Sequence, residues 1–381
     1  MRIQNFEINN NSPVFIIAEL SANHNGSLET AIETIHAAKR AGADCIKLQT
    51  YTADTITIDS NKDDFIIKGT IWEGKNLYQL YQEAYTPWEW HEEIFRVAKE
   101  EGLICFSSPF DKTAVDFLEN LDVPAYKIAS FEITDIPLIE YVASKGKPVI
   151  ISTGIAELED IELALDACRR MGNNDIALLK CTSSYPAPIN EANMVMVKDL
   201  ADRFSVISGL SDHTMGATVP VVATCFGAKI IEKHFILDRS IGGPDASFSM
   251  NEEEFTAMVK AVREAESAIG IVDYNLTEKQ AKGKDFSRSL YVVEDLKAGD
   301  IVTEKKLKPN CNQYSAESAV ISYLLKTRII EYNGQAKCKV TKINDDCDYK
   351  VTVTFYLENL YSGDGTRDYM VSFDGNEYFV H

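Results

Sequence analysis

Between residues 14 and 235, eight short apolar runs alternate with stretches of helical period, and this alternation leaves the chain few architectures. The runs span 14–20, 45–50, 104–110, 125–130, 148–153, 176–183, 205–211 and 229–235. Each is short and bounded, so each reads as a buried strand. Amphipathic segments at 28–41, 88–101, 111–120, 136–145 and 158–171 read as helices between them. Ser27 is placed to start the first helix, and Gly42 and Gly102 to stop helices. Eight such units predict a (β/α)8 TIM barrel over residues 1–284 rather than an open doubly wound sheet. No glycine-rich nucleotide fingerprint or P-loop follows any strand, which also argues against the open-sheet nucleotide binders.

Two regions break the pattern. The connection 51–87 carries Trp72, Tyr78, Tyr81 and Tyr85, and loops this long are seldom idle in a compact domain. Because it follows a strand, it should rise on the catalytic face as a lid or sugar-stacking wall; the alternative is a packed helical insertion. From about residue 285 the texture changes to Val, Thr, Tyr and Phe in short alternation, as at 337–342 and 349–356. Lys297-Ala298-Gly299-Asp300, Gly363-Asp364-Gly365 and Asp374-Gly375-Asn376 read as turns. Residues 285–381 are therefore expected to form a small β-rich C-terminal domain.

Net charge narrows the partners. With 38 basic and 58 acidic residues the formal charge is −20, and no basic run offsets it, which excludes nucleic acid and anionic membrane surfaces as natural partners. An anionic substrate would need lysines and backbone donors concentrated locally against that field. No segment reads as a membrane span, and Met1-Arg2-Ile3-Gln4 does not read as the start of a signal peptide. Eight cysteines stand singly without a CxxC pair, and Cys45, Cys105 and Cys181 fall inside apolar runs as small hydrophobes. These features suggest a reduced, cytoplasmic protein.

A barrel brings the ends of all its strands to one rim. There the sequence delivers Glu19 with Asn23-His24-Asn25-Gly26, Lys47 and Gln49, Ser107-Ser108, Lys127, Ser130 and Glu132. It adds Ser152-Thr153-Gly154, Thr182-Ser183-Ser184-Tyr185, Ser211, His213 and His234. Buried polar groups cost roughly 1–3 kcal/mol each when unpaired, so packing alone does not explain eight polar strand ends. Two lysines with several hydroxyls and a glycine turn suit a phosphate or carboxylate. Two imidazoles with oxygen ligands suit a divalent metal that polarises a substrate, with an acid as base. Either lysine could instead pair with a barrel glutamate. Glu19 could bridge to Lys47, and that reading is compatible with catalysis.

The motifs Ile17-Ala18-Glu19, Asn23-His24-Asn25-Gly26, Lys47-Leu48-Gln49-Thr50, Tyr126-Lys127-Ile128-Ala129-Ser130, Gly209-Leu210-Ser211-Asp212-His213-Thr214 and Glu232-Lys233-His234-Phe235 resemble, in order, the sialic acid synthase family. That family condenses phosphoenolpyruvate with an amino sugar. Ser21, Ser108 and Phe131 make the chain look most like its pseudaminic acid branch, since the neuraminate branch tends to carry glycine at the first or last and threonine at Ser108. The resemblance implies that Lys47, Ser108, Lys127, Ser130, Ser152, Ser183 and Ser211 hold phosphoenolpyruvate. It implies that His213 and His234 bind a divalent metal, Mn²⁺ by preference with Mg²⁺ or Co²⁺ as alternatives. Glu19 would lie near the reacting carbons, and Asn23, Glu132, Tyr185 and Asp245 on the sugar side. The sugar expected is 2,4-diacetamido-2,4,6-trideoxy-L-altrose. Synthesis of N-acetylneuraminate or legionaminic acid is the rival activity, and a non-catalytic sugar-binding barrel is a rival of another class. A homodimer is implied, in which an antifreeze-like domain brings an arginine of an Arg-Pro pair over the partner's site. This chain begins such a domain but carries Lys308-Pro309 there, and residues 310–381 match no pattern of the family.

Overall fold

The computed structural model describes residues 1–283 in full and, beyond them, the backbone of six strands between 288 and 380. The chain divides into two compact units, Met1–Ile271 and Val272–His381.

In the first unit a small hairpin, β1 (Arg2–Ile3) and β2 (Phe6–Glu7), precedes a closed parallel barrel. The barrel strands are β3 (Phe15–Glu19), β4 (Cys45–Thr50), β5 (Ile104–Pro109), β6 (Tyr126–Ile128), β7 (Val149–Ser152), β8 (Ile176–Cys181), β9 (Ile207–Asp212) and β10 (Ile230–His234). The last strand closes on the first, pairing His234 with Glu19, and Glu19 pairs in turn with Lys47. The helices are α1 (Leu28–Arg40), α2 (Ala53–Ile56), α3 (Leu77–Ala84), α4 (His91–Glu100), α5 (Lys112–Asn120), α6 (Ile136–Ala143), α7 (Leu158–Arg170), α8 (Val195–Phe204), α9 (Thr218–Cys225) and α10 (Glu252–Ile269). The (β/α)8 barrel read from the alternation is the fold observed.

Helix α1 shows why these segments are helical. The Ser27 hydroxyl accepts from the Thr30 amide, Glu29 stands in the first turn, and Lys39 and Arg40 in the last. Ala31, Ile35 and Ala38 form the buried stripe, and the chain turns away at Gly42, whose φ of 88° suits a residue without a Cβ. Several element ends shift by one to three residues from the sequence reading, most of all in the helix read at 88–101, whose residues 88–90 form a separate 3₁₀ turn before α4. Pro87, with no amide hydrogen, leads into that turn.

Strand alternation sorts side chains into two shells. Phe15, Ile17, Cys45, Phe106, Ile150, Leu179 and Ile230 fill the barrel interior, while Ile16, Ala18, Ile46, Leu48 and Ile231 pack outward against helices. Each buried aliphatic side chain of this kind contributes about 1.5–3 kcal/mol. The inward series becomes polar toward the carboxyl ends: Ile17 to Glu19, Cys45 to Lys47 to Gln49, Ile230 to Glu232 to His234. The fold thus carries an apolar plug below and a charged layer above.

In the second unit, α11 (Glu278–Gly283) precedes β11 (Arg288–Val292), which pairs antiparallel with β12 (Leu307–Cys311). Strands β13 (Ala336–Lys342), β14 (Tyr349–Phe355), β15 (Gly365–Phe373) and β16 (Tyr378–Val380) form an antiparallel sheet in that order. The turns expected at 297–300 and 374–376, and the Lys308 side chain, lie outside the described residues. Among the described residues no helix is long and apolar enough to cross a membrane.

Candidate active site

The charged layer forms the floor of a cavity at the carboxyl ends of the strands, where barrels of this kind do chemistry. Lys47 Nζ lies 2.9 Å from Glu19 Oε1 and 3.1 Å from Glu232 Oε2. Gln49 Nε2 donates to Glu19 Oε1 at 2.8 Å, and Ser211 Oγ to Glu232 Oε1 at 2.8 Å. Lys127 Nζ donates to Ser152 Oγ at 2.6 Å and to the Ile128 carbonyl at 3.0 Å, with Glu232 Oε1 3.8 Å away. Both ammoniums and both carboxylates are buried, so their charges balance within the protein. Burial would raise Glu19, but Lys47 and His234 hold its carboxyl well below the usual range. Burial also works against Lys47, yet Glu19 and Glu232 raise its pKa; burial lowers that of Lys127 despite Glu232. An anion entering this floor must compete with Glu19 and Glu232 for the lysines. Both readings of Lys47, ion pair and anion ligand, fit this geometry.

Beside the lysines, the Gly154 amide donates to Ser130 Oγ at 3.1 Å. A Cβ on Gly154 would stand 2.2 Å from Ser183 Oγ and 2.6 Å from Ser130 Oγ, so only glycine leaves the two hydroxyls their space.

Across the cavity the His213 and His234 rings lie 5.3 Å apart. His213 Nδ1 is 3.0 Å from the Thr182 carbonyl. His234 Nε2 is 3.4 Å from Glu19 Oε2, and its Nδ1 is 3.7 Å from Asp245 Oδ2, which accepts from Ser21 Oγ at 2.5 Å. The Tyr185 ring packs 4.5 Å from His213, and Phe248 5.0 Å from His234.

The connection 51–87 rises over this rim. It is a helical insertion carrying α2 and α3, and it lines the cavity with Tyr51, Ile56, Trp72, Leu80, Tyr81 and Ala84. Trp72 Nε1 donates to the Pro244 carbonyl at 2.8 Å and its ring packs 5.5 Å from Tyr185, tying the loop to the segment beside Asp245. Tyr78, by contrast, donates to Asp54 at 3.0 Å, and neither it nor Tyr85 lines the cavity.

A family model described as the NeuB family matches residues 34–274. The chain belongs to the NeuB family. It is 50% identical to a Campylobacter jejuni pseudaminic acid synthase over 81% of this chain and 89% of that protein. It is 36% identical to the N,N'-diacetyllegionaminic acid synthase of Legionella pneumophila over 77% of this chain and 84% of that one. The crystal structure of the N-acetylneuraminic acid synthetase of Leptospira borgpetersenii, 29% identical, superposes with a TM-score of 0.67 over 74% of this chain and 94% of its own.

In this NeuB barrel the expected metal ligands can be tested on their surroundings. Among the described residues no group of three or more His, Cys, Asp or Glu side chains is gathered at metal-holding distances. The two-imidazole set nevertheless fits a metal that keeps positions open. His234 Nδ1 is buried without a hydrogen-bond partner, and burial lowers that ring toward the neutral form that ligates. Burial also opposes charge on His213, but the neighbouring Cys181 sulfur holds it up at about 9, so a metal there would displace a proton.

Three expected contact residues do not line the cavity. Asn23 is fully buried, its amide donating to the Phe235 carbonyl at 2.9 Å and Ser249 Oγ at 2.8 Å, because the loop after β3 turns inward against the one after β10. In this position it braces the two loops against each other. Ser108 is fully buried on β5, with no hydrogen-bond partner for its hydroxyl, and the Ser183 hydroxyl lies against the space a Gly154 Cβ would take. Gln49, which the sequence reading placed on the rim, lines the cavity, and so do Glu232, Ser21 and Cys181, to which it gave no role there. Period-two alternation could have found Glu232 and Cys181, since residues two apart on a strand share a face: Glu232 with His234, and Cys181 with the inward Leu179.

Proposed function

We propose that this NeuB-family protein is a pseudaminic acid synthase: phosphoenolpyruvate, 2,4-diacetamido-2,4,6-trideoxy-L-altrose and water give pseudaminic acid and phosphate. The observation that carries a two-substrate condensation is the pairing, in one cavity, of a lysine and hydroxyl floor with two facing imidazoles. The 50% identity to a pseudaminic acid synthase, against 36% to a legionaminic acid synthase, supports the choice of sugar.

In this reading Lys47, Lys127, Ser130, Ser152 and Ser211, with the Gly154 turn, hold the phosphate and carboxylate of phosphoenolpyruvate in a water-poor floor where ammoniums act strongly. Ser183 lies against the Gly154 turn, and Ser108 keeps an unpartnered hydroxyl on β5. His213 and His234 would hold a divalent metal, Mn²⁺ by preference, whose chemistry is Lewis-acid polarisation of the sugar carbonyl. Glu19, ionised through Lys47, lies beside His234 and stabilises positive charge that develops on the enol carbon. Asp245 and Tyr185 orient the sugar. Burial raises the Glu132 carboxyl to about 7 against the pull of Lys127, so Glu132 can take the proton of the incoming water near neutral pH. The balance is one new carbon–carbon bond as the enol and aldehyde π bonds open, one water oxygen added at C2 of the enol, one carbon–oxygen bond broken to release phosphate, and the two water protons ending on the new sugar hydroxyl and on phosphate. A cytoplasmic homodimer is the setting this reading carries forward from the sequence.

Phosphate release from phosphoenolpyruvate with Mn²⁺ tests the assignment. Turnover with the altrose derivative and not with N-acetylmannosamine is expected; the reverse preference would move the chain to the neuraminate branch. His213→Gln and His234→Gln should each abolish metal-dependent turnover, and activity retained in both would overturn the ligand assignment.

A further inference from the structure

The cavity has two chemically different halves. Its floor is charged, while the wall contributed by the 51–87 insertion is apolar. Leu80 and Ala84 stand one turn apart on α3, and Ile56 ends α2, which packs on α3. These three side chains line the cavity and carry no donor or acceptor. Around them Tyr51 packs edge-on to Tyr81 at 5.6 Å and to Phe110 at 5.1 Å, closing the wall with ring surface. The Trp72 indole is already committed to the Pro244 carbonyl. Phenol hydroxyls are the polar groups left on this side, and among the described residues neither Tyr51 nor Tyr81 hydrogen-bonds through its own.

Resting on the proposed activity, the geometry points to Ile56, Leu80 and Ala84 as the residues that select a deoxygenated sugar. With the aldehyde end at the imidazoles, the far end of the sugar chain reaches the insertion. A terminal methyl there gains contact with the three aliphatic side chains, and the Tyr81 phenol can donate to an acyl carbonyl nearby. A terminal hydroxymethyl would set its hydroxyl against these three aliphatic side chains, which cannot bond it. Rejection of an added hydroxyl by an apolar pocket reaches at most roughly a hundredfold, so the expected preference is about 10–100-fold in kcat/KM.

The test compares the 6-deoxy altrose substrate with its 6-hydroxy analogue in the wild type, Leu80→Asn and Ala84→Ser, following phosphate release. The wild type should prefer the deoxy sugar by about 10–100-fold. Leu80→Asn should cut that ratio about tenfold, chiefly by raising KM for the deoxy sugar, and Ala84→Ser should move it the same way. Ala84 is half-buried on a helix, so the serine variant keeps the test informative if Leu80→Asn does not fold. Equal use of both sugars by the wild type, or a ratio unmoved in folded variants, would overturn the wall and leave the synthase reading intact. Turnover with neither sugar would overturn both.

Discussion

Replacing Glu132 by glutamine should make the protein more stable at alkaline pH and scarcely change it in mild acid. Glu132 ends the short turn Ser130–Glu132 after β6, and its Oε2 is buried without a hydrogen-bond partner. Burial raises its carboxyl from 4.5 to about 7, only partly opposed by Lys127. Between those two values the folded protein keeps a proton that the unfolded chain has released. Stability therefore falls as pH rises through the window and levels off above pH 7. At about 1.4 kcal/mol per pH unit, the interval amounts to roughly 3 kcal/mol, and water in the cavity should reduce it to about 2 kcal/mol. Glutamine keeps the neutral shape without the titration. Urea unfolding of the ligand-free protein at about pH 5 and pH 8 reads the difference directly. The gap between variant and wild type should widen by about 2–3 kcal/mol from the lower pH to the higher. A gap equal at both values would refute the argument, because it would mean that Glu132 ionises in the folded protein as freely as in the unfolded chain.

Three further outcomes follow from the same geometry. Lys47→Met strands Glu19 and Glu232 in the floor and should cost about 3–5 kcal/mol in urea unfolding, so a loss below about 1 kcal/mol would show that the carboxylates find other partners. Gly154→Ala forces a methyl onto Ser183 and Ser130 and should raise KM for phosphoenolpyruvate about tenfold with an unchanged far-ultraviolet spectrum; an unchanged KM would separate that turn from the anion site. His91 is buried against Thr50 and the Pro87 carbonyl, and burial lowers its pKa from 6.5 to about 4. The unfolded chain binds that proton first, so wild-type stability is lost as pH falls from 6.5 toward 4. His91→Gln should flatten this slope by about 1.4 kcal/mol per pH unit between pH 6 and 5, and parallel slopes would remove His91 as a cause.

Much of this protein follows from one-dimensional pattern. Apolar runs bounded by turns name the strands, and their number and spacing name the barrel. Polar residues at their ends name Glu19, Lys47, Lys127, His213 and His234 as one rim, because strand ends of a closed parallel sheet converge whatever the loop lengths. Ser27 and Gly42 mark the ends of α1 because capping and left-handed turns are local chemistry. Sequence alone leaves open which partner each rim residue takes. Closure of β10 on β3 sets His234 beside Glu19, and the sorting of alternate residues inward brings Glu232 between the two lysines. Asn23 and Tyr185 both sit in loops after strands, yet one braces the fold and the other faces the cavity, a difference decided by the path of each loop. The insertion's role as a wall depends on Trp72 reaching Pro244, 172 residues away in the chain. Pattern records which side chains a strand or helix presents; only the packed chain decides which of them meet, since long-range contacts depend on register, closure and loop course that no local window of residues contains.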